Sequence, residues 1–76
     1  MNPKFVEVLA YVLDVDPATL NEQSAPDNVQ GWDSMRNVFL LSTIEQTFGV
    51  TLSNAEFTGA RNAGDLQAIL DRRGAS

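Results

Sequence analysis

The stretch SMRNVFLLSTIEQTFG, Ser34–Gly49, decides the fold. Its apolar residues Leu40, Leu41, Ile44 and Phe48 recur at the three- and four-residue spacing of one helical face, and Asn37 or Val38 extends the stripe. Gly49 stands where a left-handed C-cap is wanted. The spacing predicts a helix over 34–48. Beyond it, Val50, Thr51 and Leu52 are β-prone but too few for a strand that has no partner. Ser53-Asn54-Ala55-Glu56 matches a capping box, which predicts one or two helical turns with Phe57 facing inward, ending by Gly59. Asn62-Ala63-Gly64-Asp65 is a further start signal, weakened by the low helix propensity of Gly64. Leu66, Ile69 and Leu70 give the inward edge of a last helix, Arg72 and Arg73 complement its negative end, and Gly74 stops it.

Toward the N-terminus, Asn2-Pro3 offers a cap followed by proline at the first helical position, where a missing N–H costs nothing. Phe5, Val8, Leu9, Val12 and Leu13 then mark one face of a first helix, which Pro17 should end near Asp14 to Asp16. The segment from Val15 to Asp33 has no period and reads as a long ordered connection, with one short turn at Pro17-Ala18-Thr19-Leu20. Leu20, Val29 and Trp32 pin it across the core. The expected fold is all-α: a small helical bundle of three main helices plus one short helix, in a single domain over residues 1–76. Phe5, Leu9, Val12, Leu13, Leu41, Ile44, Phe48, Phe57, Leu66, Ile69 and Leu70 should pack together.

Composition narrows the function. The chain has 76 residues, 43% hydrophobic, with ten acids against five bases and a net charge of −5. Such a length allows one domain, burying only ~60% of the surface its unfolded form exposes. The chain contains no cysteine, which excludes a disulfide framework and a thiolate metal site. It contains no histidine, which removes the commonest general base and metal ligand. A self-contained hydrolase or metalloenzyme is not expected, and no metal site is. The acidic balance argues against nucleic acid as a partner. No apolar run reaches ~18 residues and no signal-peptide pattern opens the chain, so neither membrane insertion nor secretion is expected. The expectation is a small cytoplasmic domain, non-catalytic and working through partners.

One position attracts attention on physical grounds. Ser34 lies where the long connection enters the central helix, inside Gly31-Trp32-Asp33-Ser34-Met35. The first-turn N–H groups of a helix are unpaired, and its dipole presents about half a positive charge there. A phosphate ester on the hydroxyl would lie in a favourable field. The plainer alternative is that Ser34, or Asp33 equally well, is only a helix cap.

Gly31-Trp32-Asp33-Ser34-Met35 resembles the Asp-Ser-Leu attachment motif of acyl carrier proteins, with methionine in place of leucine. The resemblance covers nearly the whole chain. The first helix from Phe5, the turn Asp16-Pro17-Ala18-Thr19-Leu20, the stretch Glu45-Gln46-Thr47-Phe48-Gly49-Val50 and the closing Gly64-Asp65-Leu66 all fall where that family places comparable elements. The resemblance implies that a phosphopantetheinyl transferase moves 4′-phosphopantetheine from coenzyme A onto Ser34. The thiol of that arm would then carry an acyl group as a thioester for loading, condensing or transfer enzymes. Asp33 matches the motif acid that the family uses in meeting the transferase. The resemblance also implies a monomer.

The chain departs from typical fatty-acid carriers in its central helix, where Glu45 is the one acid and Arg36 stands in the first turn. Its outward stripe reads Met35, Phe39, Ser42, Gln46. Met35, Arg36, Phe39 and Glu45 are the expected partner-binding residues, unless Phe39 folds back against Trp32 or the long connection. The departure implies a narrower set of enzymes, dedicated to specialised lipid, polyketide or peptide metabolism. Phenylalanine-rich packing implies short or polar cargo. The remaining acids Asp14, Asp16, Glu22, Asp27, Glu56, Asp65 and Asp71 are expected to be solvated charge. Two other readings stay open: a free-standing peptidyl or aminoacyl carrier, and an unmodified helical interaction module in which Ser34 merely caps.

Overall fold

The computed structural model describes residues 1–74, and the secondary structure among them is helical. Helix α1 spans Pro3–Leu13, a 3-10 turn covers Pro17–Thr19, α2 spans Ser34–Phe48, α3 spans Asn54–Gly59 and α4 spans Ala63–Arg72. Each start follows its expected chemistry. Asn2 accepts from the Lys4 N–H with Pro3 behind it, Asp16 from Ala18, Asp33 from Arg36, Ser53 from Glu56 and Asn62 from Asp65. The box at Ser53 is reciprocal, because the Glu56 carboxylate accepts from the Ser53 N–H. At its far end α1 stops at Leu13, where Asp14 turns into the left-handed region at φ 56°. The helix is thus ended by Asp14 itself, ahead of Pro17.

Helices α1 and α2 run antiparallel. The first turn of α2 reaches the last turn of α1 through Arg36 and Val12, while Lys4 near the start of α1 lies over the Phe48 ring at the end of α2. Phe5, Leu9, Val12, Leu40, Ile44 and Leu70 are the largest fully buried side chains. Each contributes about 1.5–3 kcal/mol by burial. The expected packing set shifts at its margins, and Val8 joins the buried core. Leu41 and Phe48 sit half-buried at the margin, and Leu40, left out of that set, is completely buried. The reason lies in rotation: the inward line of α2 runs through Asn37, Leu40 and Ile44, so Val38 is left outside and exposed. Leu52 and Trp32 are buried as well, adding bulk from the connections.

The long connection is ordered by its own polar groups. Buried Ser24 accepts from the Asn21 N–H, and Asn28 accepts from Ala25 while donating to the Gln23 carbonyl. The connection then seats on α4, whose first two N–H groups, on Ala63 and Gly64, donate to the Ser24 and Glu22 carbonyls. A Cβ at Gly64 would stand 3.0 Å from the Glu22 carbonyl oxygen. The glycine that weakens the helix signal is therefore a requirement of close approach. Buried Gln67 completes the frame by accepting from the Asn2 N–H and donating to Asp71, which ties the start of α1 to α4.

Candidate functional site

The site is the entrance to α2. Gly31 takes φ 92°, a value that suits glycine alone, and turns the chain so that Trp32 enters the core. The Trp32 indole N–H would be costly to bury without an acceptor, and Asn37 Oδ1 provides one at 2.9 Å. This pair fixes the connection against the first turn and a half of α2. Asp33 follows in an extended conformation and its carboxylate accepts from the Arg36 N–H at 2.9 Å. Asp33, not Ser34, is the cap.

Ser34 occupies the first helical position and is exposed, and its hydroxyl makes no hydrogen bond among the described residues. The N–H groups of Ser34 and Met35 likewise take no acceptor there, as the first N–H groups of a helix do. The 15-residue helix behind them adds its dipole. The arrangement offers an exposed nucleophilic oxygen beside unpaired donors, on an approach anchored by Trp32. It has no histidine or lysine beside it to activate the oxygen, so a base must come from elsewhere. A phosphodiester on Ser34 fits this surroundings: its negative charge meets the helix end, and the exposed oxygen leaves room for a long substituent.

The expected partner-binding residues divide into two groups. Met35 and Phe39 stand outward, 82% and 50% exposed. Phe39 does not fold against Trp32; its ring meets that of Tyr11 on α1, with centroids 6.4 Å apart and planes tilted by 59°. Arg36 and Glu45 have internal work. The Arg36 guanidinium donates to the Val12 carbonyl at 2.6 Å, and the half-buried Glu45 accepts from the Leu52 N–H at 2.8 Å, holding the link between α2 and α3. Tyr11 lies off the apolar stripe of α1, so spacing does not single it out, and a lone asparagine such as Asn37 in a helix carries no pattern. The buried Trp32, which needs an acceptor nearby, is the signal that could have found Asn37.

The acids are less idle than expected. Asp16 caps the 3-10 turn and Asp65 accepts from the Arg61 N–H. Arg73 reaches past its own helix end to the Thr51 carbonyl and forms an ion pair with Glu56. The Glu56 carboxyl is held below the usual carboxylate range chiefly by the Ser53 N–H; desolvation, the next effect in size, opposes it, and the Ser53 hydroxyl and the Arg73 guanidinium add smaller lowering contributions.

Surface hollows lie elsewhere. One runs between α3 and α4, lined by Ala55, Ala60, Arg61, Ile69 and Arg72 among others, and a second lies beside the 3-10 turn; neither is lined by α2. Among the described residues no helix is long and apolar enough to cross a membrane. Comparison with protein-family models and with curated protein sequences gives no match.

Proposed function

We propose that this protein is a carrier whose Ser34 hydroxyl is esterified with 4′-phosphopantetheine taken from coenzyme A. The observation that carries this reading is the division of labour between neighbours: Asp33 does the capping, which leaves the Ser34 hydroxyl exposed and without a hydrogen-bond partner among the described residues. A serine kept only as a cap would turn its oxygen onto the N–H two or three residues on. The resemblance of Gly31-Trp32-Asp33-Ser34-Met35 to the attachment motif of acyl carrier proteins supplies the identity of the group.

The bound arm would supply a thiol on which cargo is held as a thioester, chemistry that a cysteine-free chain lacks. The chain's own residues present the acceptor oxygen, offer the Ser34 and Met35 N–H groups to the phosphate and keep the loop rigid through Gly31 and Trp32. Asp33 is exposed beside Ser34 and is available to a basic group of the transferase. The cargo is an acyl chain, short or polar, delivered to a dedicated set of biosynthetic enzymes; an aminoacyl cargo would use the same bond. The test is to incubate the unmodified protein with coenzyme A and a broad-specificity phosphopantetheinyl transferase and weigh it intact. One added phosphopantetheine, lost in Ser34→Ala, is expected. No mass gain, or an equal gain in the variant, overturns the proposal.

A further inference from the structure

The large apolar side chains that stay exposed among the described residues are Tyr11 at 74%, Met35 at 82%, Val38 at 71% and Phe39 at 50%. Met35, Val38 and Phe39 share one side of α2 by their three- and four-residue spacing, and the Phe39–Tyr11 ring contact carries that side across to α1. Four such side chains gathered on one face differ from the single apolar residues that dot an ordinary surface. The patch begins beside Ser34: Met35 adjoins it, and Phe39 lies about 7.5 Å farther along the helix.

Charge around the patch is negative on balance, three acids against one base. Glu7 precedes Tyr11 by one turn of α1, Asp14 caps that helix one turn after it, and Asp33 caps α2. The two bases of these helices offset them only in part: the Arg36 guanidinium sits on the Val12 carbonyl beside Tyr11 and keeps its charge there, whereas Lys4 lies over the Phe48 ring at the opposite end. The face is an aromatic and thioether centre with an acidic rim. Its complement is a protein surface with an apolar notch edged by lysine or arginine.

We infer that the enzyme that modifies Ser34 docks on this two-helix face, with Tyr11 of α1 as an anchor and Glu7 and Asp14 as steering charge. The inference rests on the carrier reading. It places part of the recognition on α1, a helix that bears no attachment chemistry, and a footprint of ordinary size, ~800 Å² on each partner, spans Ser34 and Tyr11 together.

The test is the steady-state kinetics of coenzyme A-dependent modification by a broad-specificity phosphopantetheinyl transferase. Tyr11→Ser should raise KM about tenfold with kcat unchanged and the chain still cooperatively folded, its unfolding midpoint lowered only by the loss of the ring contact with Phe39, because Tyr11 is mostly exposed and touches no reacting atom. The double variant Glu7→Gln with Asp14→Asn should flatten the rise of KM with salt. Phe39→Ser should act like Tyr11→Ser; if it unfolds, the Tyr11 variant still decides. Normal loading with KM unchanged in Tyr11→Ser overturns the inference alone. A wild-type chain that gains no mass overturns the carrier reading and this inference with it.

Discussion

The Arg36 guanidinium donates to the Val12 backbone carbonyl at 2.6 Å, so the first turn of α2 is fastened to the last turn of α1 two residues from Ser34. That carbonyl belongs to the end of a helix, where no intrahelical N–H remains for it. Arg36→Ala should destabilise the fold by about 2 kcal/mol, since it leaves a part-buried acceptor unpaired. Arg36→Lys should recover a fraction only, having one compact charge in place of the planar fork. Urea unfolding of both variants checks this, and an unmoved midpoint in Arg36→Ala would show that the tether does not hold the helices.

Ser34 and Asp33 separate stability from modification. Asp33→Ala removes the cap and should cost about 1 kcal/mol. Ser34→Ala should change stability by less than about 0.5 kcal/mol, because its hydroxyl makes no hydrogen bond among the described residues and alanine is the better helix former. Thermal unfolding of the pair measures both. A loss in Ser34→Ala as large as that in Asp33→Ala would return Ser34 to the role of a cap.

Gly64→Ala should destabilise, although alanine favours a helix over glycine by about 1 kcal/mol. The added methyl would meet the Glu22 carbonyl oxygen at 3.0 Å and its Cβ at 3.1 Å, and that carbonyl is held by the Gly64 N–H itself. The expected net loss is about 1–2 kcal/mol. A higher melting temperature in Gly64→Ala would mean that the connection does not rest on α4.

Much of this architecture was legible in advance because it is encoded locally. Asn2-Pro3, Ser53 with Glu56, and Asn62 each announce a helix start through a side chain and an N–H only two or three residues away. The bounds of α2 follow from Asp33 and Gly49 in the same way. What escaped depends on partners distant in sequence. Arg36 meets Val12 across 24 positions and Arg73 meets Thr51 across 22, so neither leaves a trace in spacing. The same holds for Glu45, expected at a partner surface and found holding Leu52. At the candidate site, Ser34 itself was visible, whereas the choice of Asp33 as cap rests on backbone angles that two adjacent capping residues leave open.

Glu56 sets an acid limit. Its carboxyl titrates below the ordinary value of 4.5 in the folded chain, chiefly through the Ser53 N–H. A group with a lowered folded value adds stability that is fully present above the unfolded value and is lost as pH falls through the folded one. Glu56→Gln keeps an acceptor but not the charge, so it should be less stable than wild type at neutral pH. The gap should narrow once pH drops below about 4.5. Unfolding midpoints of both proteins between neutral pH and acid test this; a gap independent of pH would deny the carboxylate its part.

The most direct measurement is the mass of the protein purified from its native host, intact and then as the peptide containing Asp33-Ser34-Met35. A phosphopantetheine group, bare or loaded, located on Ser34 is the predicted result. A population in which Ser34 is entirely unmodified, or in which the group sits on another hydroxyl, would contradict the account.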